Sequence, residues 1–231
     1  MLDEPLTDQE EEEVARLTDS QRLEYFSDAV LAIAITLLVI ELKLPDPHRG
    51  ELLKQLVDQW PAYLAYVASF GYLAVIWLNH HAVFTRIKHV DRGLKWVSIG
   101  LLFTAATLPF PTAVLSTALQ ANDLSDKQVA AGFYALMAAL LCFSWLVFWG
   151  YLRTHPRLLE PGVDPEFFRD EQVRGWIGIG LYVVGGLLGI FVHPYVALAV
   201  FVLGPPFYAV TSDGLRDSPL ADKLLKRRVP A

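Results

Sequence analysis

Hydrophobic residues in this chain gather in long runs with few charges, not at the spacing of a single buried helix face. The runs cover Tyr25–Leu42, Trp60–Phe84, Leu94–Leu119, Val129–Leu152, Gly175–Val192 and Pro194–Val210. A helix needs roughly 17–25 apolar residues to cross a bilayer, so the pattern predicts an all-α integral membrane protein with six transmembrane helices per subunit. Only His193-Pro194 separates the last two runs, which predicts a helical hairpin. Trp60, Trp96, Trp149 and Trp176 fall near run ends, where aromatic belts meet the membrane surface. Pro109 and Pro111 interrupt the third run, and Pro205 and Pro206 follow Gly204 in the sixth. Each proline removes a donor and bends its helix, so a neighbour or water must satisfy the freed carbonyl. We read both bends as packing devices. The fifth run carries a GxxxG at Gly185–Gly189, which permits close helix contact inside the subunit.

Composition agrees with this division. Hydrophobic residues make up 54% of the 231, and the mean hydropathy is +0.36. The net charge of −6 argues against a nucleic-acid partner. Much of it lies in Asp3, Glu4, Asp8 and Glu10 to Glu13, read as a solvated tail or the start of a surface helix. Such a segment lacks the basic region of a cleaved leader, so the first apolar run is kept as a span. We divide the chain into an acidic tail at 1–20, a transmembrane body at 21–212 and a basic tail at 213–231. With the N-terminus inside, all but four of the 19 Lys and Arg fall in inner segments, the exceptions being Lys43, Arg49, Lys54 and Lys127. By the positive-inside rule both termini are expected to be cytoplasmic, in a multi-pass protein of the cell membrane. The lone Cys142 allows no internal disulfide, and no cofactor is expected.

The first helix concentrates the chemistry. The stretch RLEYFSDAVLAIAITLLVIELKL runs from Arg22 to Leu44 and is free of charge from Ala29 to Ile40. Residues three and four apart share a helix face, so Val30, Ile33, Leu37 and Ile40 form a seam with Thr36 beside it. Lipid is as apolar as such a seam, and the stripe alone fits a lipid-facing or packing role equally well. Arg22, Phe26, Ser27 and Asp28 stand at the cytoplasmic end. The second span ends in Trp77, Asn79, His80 and His81 on the same side, and the third opens with Asp91, Lys95 and Trp96. Unpaired charges are costly to bury, so Arg22, Asp28, the two histidines and Asp91 are expected to pair at one depth and fix how the first three helices pack.

Arg22-x-x-x-Phe26-Ser27-Asp28 resembles the RxxxFSD signature that opens the first helix of the bacterial members of the transmembrane protein 175 family, the lysosomal potassium channels. The AVLAIAITLLVIEL that follows, WLNHH at Trp77–His81 and LPFPT at Leu108–Thr112 are similar to that family over residues 20–212. The motif occurs once here, where animal members carry two copies. The resemblance therefore implies a homotetramer with four first helices around a central pore. It also places the narrowest pore ring on Ile33, with further apolar rings at Leu37 and Ile40. Thr36 matches a threonine implicated in ion preference, and K+ would pass near Ile33 and Thr36. The sequence has no TVGYG filter, so only modest K+ over Na+ selectivity is implied. An apolar ring of this kind gates by dewetting. The Thr36 hydroxyl has an alternative use, in bonding back to the Ala32 carbonyl.

Two other transport readings compete. A secondary transporter or a proton-conducting channel could use the buried His and Asp residues as a relay. The spans carry no deep charges and no internal repeat, which weighs against the transporter. An enzyme is not expected. The other four of the six histidines are scattered, and adjacent His80 and His81 point about 100° apart on a helix.

Overall fold

A computed structural model of the chain describes residues 8–42, 50–121, 123–163 and 165–211. These are almost entirely helical: α1 (Asp8–Leu37), α2 (Leu52–Asp58), α3 (Trp60–Phe84), α4 (Arg92–Ala106), α5 (Pro109–Gln120), α6 (Leu124–Thr154), α7 (Pro165–Phe191) and α8 (Pro194–Thr211). A 3-10 turn, Leu38–Glu41, extends α1. By length and composition five helical segments can cross a membrane, with α4 and α5 together forming one of them. The sixth apolar helix, α8, is shorter. α7 and α8 form the expected hairpin around His193. The acidic residues from Glu10 onward belong to α1, which runs from them into the apolar segment without a break. The basic tail at 213–231 lies outside the described residues.

The proline break in the third span follows from the missing donors. Pro109 and Pro111 cannot bond the carbonyls of Ala105 and Thr107 as a regular helix would. Leu108 N–H and Phe110 N–H bond those two carbonyls instead, each at 3.1 Å. The helix tightens, ends at Ala106 and restarts with Pro109 in its first turn. The Thr112 N–H and hydroxyl both donate to the Leu108 carbonyl, at 3.2 Å and 2.8 Å. That hydroxyl lies 2.7 Å from Ser69 Oγ, itself 2.9 Å from the Tyr134 hydroxyl, so the break is tied to α3 and α6.

α6 is the centre of the subunit and packs most extensively on α7. In lipid, apolar burial alone does not drive helices together, and close backbone approach supplies the attraction. The GxxxG segment provides that approach within the subunit, on two helices. A methyl group at Gly186 would sit 2.5 Å from Ala135 Cβ of α6, and one at Gly189 2.7 Å from Ala197 Cβ of α8. α8 also lies against α3, where Pro205 packs on Gly71.

Two features were not read from the sequence, the short helix α2 and a bridge between Ile87 and Leu159. The bridge clips the α3–α4 loop to the α6–α7 loop, with Lys88 N–H and His89 N–H both donating to Leu158 O. One aromatic-belt expectation is corrected. Trp60, Trp96 and Trp176 are exposed, but Trp149 is buried among Trp145, Phe148, Phe167 and Phe168. α6 continues one turn past it, and the start of α7 folds over its ring.

The glycine contacts give a paired expectation. Gly186→Ala pushes two methyl groups into contact and should cost about 1–3 kcal/mol by overpacking. Gly180, with open space where its Cβ would be, should tolerate alanine or gain about 0.5–1 kcal/mol from helix propensity. Thermal unfolding of the two purified variants in detergent compares them directly. Equal melting temperatures would remove the close contact from the account.

Candidate functional site

α1 lies on the outside of the bundle, against α3, α4 and α5. Only 28% of its apolar window is buried, compared with 50% in α3 and α6. Its inner face is a single stripe of Leu23, Ser27, Leu31, Ala34 and Leu38, spaced four, four, three and four apart, as helix geometry requires for one side. The Ser27 hydroxyl is fully buried and donates to Leu23 O at 2.8 Å, so it needs no partner from another helix.

The other side of α1 is uncovered in the subunit. Ile33 is 59% exposed, Leu37 43% and Ile40 71%, while Phe26 and Arg22 extend the same face toward the N-terminal end. These residues sit at spacings of four, seven, four and three, so one continuous face carries them. Thr36 is exposed beside them, and its hydroxyl donates to Ile33 O at 2.9 Å. The acceptor is Ile33, one residue later than the Ala32 carbonyl weighed from the sequence. With its proton turned into the helix, the hydroxyl presents oxygen lone pairs to whatever lies outside.

Three polar contacts fasten the N-terminal half of α1. Trp77 Nε1 of α3 donates to Asp28 at 2.9 Å. His81 Nδ1 lies 3.0 Å from Glu24 Oε1. Lys95 Nζ of α4 reaches Asp19 at 3.0 Å. Glu24 and Asp19 were missed from the sequence. Glu24 sits one turn before Asp28, on the side that meets α3, and that spacing was the available signal.

The network expected at one depth is therefore corrected at Arg22, His80 and Asp91, and Asn79 and Trp96 lie apart from it. Arg22 is exposed and has no ion pair among the described residues. His80 is fully buried and stacks on Phe84 with ring centroids 4.3 Å apart, and neither of its nitrogens meets a partner. Asn79 lines a cavity on the far side of α3 with residues of α6, α7 and α8. Asp91 turns away from α1 altogether. Its carboxylate caps α4 by accepting from Leu94 N–H at 2.8 Å, accepts from the Tyr151 hydroxyl at 2.9 Å and lies 3.6 Å from Arg157. Trp96 is outward-facing and 64% exposed. Among the described residues no group of His, Cys, Asp and Glu is arranged to hold a metal.

Burial opposes the charge on Asp91, but the Leu94 N–H, the Tyr151 hydroxyl and the neighbouring His155 and Arg157 outweigh it, and its carboxyl is held below the ordinary 3.8. A depressed folded-state value stabilises the fold above the unfolded value, and the gain is lost as pH falls through the folded one. Asp91→Asn should accordingly lower the melting temperature at neutral pH. The gap from wild type should close as the pH drops below 3.8. A gap independent of pH would assign the cap no charge-dependent role.

A family model described as the endosomal/lysosomal potassium channel TMEM175 matches residues 22–109, from the start of the RxxxFSD segment to the proline break. A potassium channel of Streptomyces collinus is 36% identical over 79% of this chain and 91% of its own length. One from Chamaesiphon minutus is 33% identical over 87% of this chain and 98% of its own. The human endosomal/lysosomal proton channel TMEM175 is 27% identical over 73% of this chain, but only 34% of that longer protein is covered. Among solved structures, a lysosomal potassium-selective channel TMEM175 homolog from Chamaesiphon minutus superimposes with a TM-score of 0.72 at 30% identity, over 84% of this chain and 97% of the other.

Proposed function

This chain belongs to the TMEM175 family of ion channels, and we propose that it forms a potassium-permeable cation channel lined by four copies of α1. The observation that carries the reading is the uncovered face of α1, on which Ile33, Leu37 and Ile40 stand exposed opposite a fully packed stripe. A helix on the outside of its subunit with one finished apolar face and one bare one is suited to meet copies of itself. In this proposal all six apolar helices cross, both termini are cytoplasmic and the assembly is a homotetramer in the cell membrane.

Ile33 then forms the narrowest ring, with Leu37 and Ile40 as further rings. Branched aliphatic side chains on an axis offer a hydrated ion no oxygen, so the constriction resists wetting and closes the path. Thr36 supplies the nearest oxygens. Because its proton is bonded to Ile33 O, each hydroxyl faces a cation as an acceptor, which favours an ion that sheds its hydration shell readily. Four such contacts without a carbonyl filter give a modest preference for K+ over Na+. The polar contacts at Asp19, Glu24 and Asp28 hold the scaffold and take no part in permeation.

Proton conduction is the second reading, favoured by the names of the animal relatives, which are proton channels. A His–Asp relay is not the route it would take, since Asp91 bonds Tyr151 and Arg157 on another side of the bundle.

Ion flux from purified protein in liposomes tests the proposal. Ile33→Asn should raise K+ leak about tenfold, the effect of lowering a barrier by about 1.4 kcal/mol. Thr36→Ala should bring the K+ and Na+ fluxes closer together with the leak unchanged. Wild-type protein that passes no ion but takes up a substrate would sink the channel reading.

A further inference from the structure

Away from the bare face of α1, helices α3, α6, α7 and α8 line a partly open cavity of about 40 Å³. Tyr72 and Asn79 of α3, Cys142 of α6, Glu171 and Arg174 of α7, and Tyr208 of α8 carry its polar lining. The Tyr72 hydroxyl lies 3.1 Å from Cys142 Sγ, and the Tyr208 hydroxyl lies 3.7 Å from the same sulfur. Tyr208 also donates to the Arg174 carbonyl at 3.4 Å. Glu171 is only 7% exposed and is ion-paired with Arg174 one turn along α7. Ionisable groups at such positions in a membrane protein usually face a polar cavity and mark a functional site.

The lining restricts what can enter. Glu171 and Arg174 neutralise each other, so a charged ligand would have to break a buried pair to gain a partner. A neutral molecule with hydrogen-bonding groups faces no such cost, because hydroxyl, thiol and amide groups all meet the space. One water needs roughly 10–15 Å³ of such volume, which leaves room for about three waters or a ligand of about three heavy atoms.

The cavity also adjoins the helix that holds α1. Trp77 and His81 share one face of α3 and bond Asp28 and Glu24 of α1. Asn79 lies between them in sequence and faces the cavity. A change at Asn79, Tyr72 or the α7 ion pair therefore bears on the same helical turns that fasten α1.

We propose that this cavity is a second binding site, a modulatory pocket that holds water at rest, admits small neutral hydrogen-bonding molecules and acts on α1 through the last turns of α3. The binding half stands on the cavity alone, and the modulatory half rests on the channel reading.

Methyl methanethiosulfonate is the probe, and Cys142 is the sole cysteine. The cavity has to retain only the transferred methylthio group, while the sulfonyl end occupies and leaves through its partly open side. The thiol sulfur attacks the reagent's divalent sulfur, a disulfide forms and the S–SO2 bond breaks. Methanesulfinate leaves, the thiol proton goes to solvent, and a neutral methylthio group is left in the pocket. Full-length protein in liposomes should gain one such group per chain by intact mass, and Cys142→Ala none. Trp149→Phe, which widens the wall, should speed the labelling. Folded protein that stays unlabelled while the detergent-unfolded chain reacts would overturn the pocket. Labelled protein should show a K+ flux changed about fivefold, the low end for coupled sites, with the reagent leaving Cys142→Ala unaffected. Unchanged flux on full labelling would overturn the modulatory half. No flux from untreated protein would instead defeat the channel reading and the modulatory half with it, while the labelling still decides the pocket.

Discussion

The close approach of α6 and α7 is the contact on which the rest of the subunit depends. Lipid removes the usual reward for hiding apolar side chains, so helices must hold one another by dispersion at short range and by hydrogen bonds. Gly186 against Ala135, with Gly189 between Ala131 and Ala197, brings three helices to backbone distance. α3 joins that core by packing on α8, where Gly71 accepts the ring of Pro205. α1 joins the same core only through Leu23, Leu31, Ala34 and Leu38. It packs by one stripe and leaves its opposite face bare, which is the condition for a second use.

How much of this was legible follows from which signals are local. The positions of five spans, the α7–α8 hairpin, the glycine contact and the break at Pro109 rest on runs and residues whose consequences are fixed within a few positions. Trp60–Phe84 as predicted is the helix found. The polar network was misread because nearness in sequence and depth was taken for nearness in space. Helical phase separates Asn79 from Trp77 by about 200°, while Trp77 and His81 share a face, so the WLNHH segment had to divide between two sides of α3. Asp91 precedes Leu94 by three residues at the start of a helix, the position of an N-cap. That signal was present and competes with any longer-range pairing. Trp149 could not have been placed inside from sequence, because its burial depends on a loop that brings Phe167 and Phe168 back over it.

The two halves of α1 differ in what fixes them. Toward the N-terminus, bonds from Trp77, His81 and Lys95 set its rotation about its own axis. From Leu31 onward the contacts are apolar, through Leu31, Ala34 and Leu38. Directional bonds resist rotation far more than smooth side chains do. In the proposed pore that bare face would point at an axis, and rotation is then the variable that matters. Ile33 and Thr36 differ by about 60° around the helix, so a modest turn exchanges an aliphatic surface for a hydroxyl one.

That geometry sets what the last turns of α3 can do. They hold α1 through an indole donor and an imidazole on one face and line the neutral cavity on the other. A rigid helix between two such surfaces cannot shift at one without shifting at the other. The partnerless His80 between them, buried against Phe84, makes few directional bonds that would oppose a small rotation of this segment. The rotational setting of α1 is therefore shared between its own apolar stripe and a helix end whose far side can be solvated, and the rigidity of α3 makes that sharing mechanical.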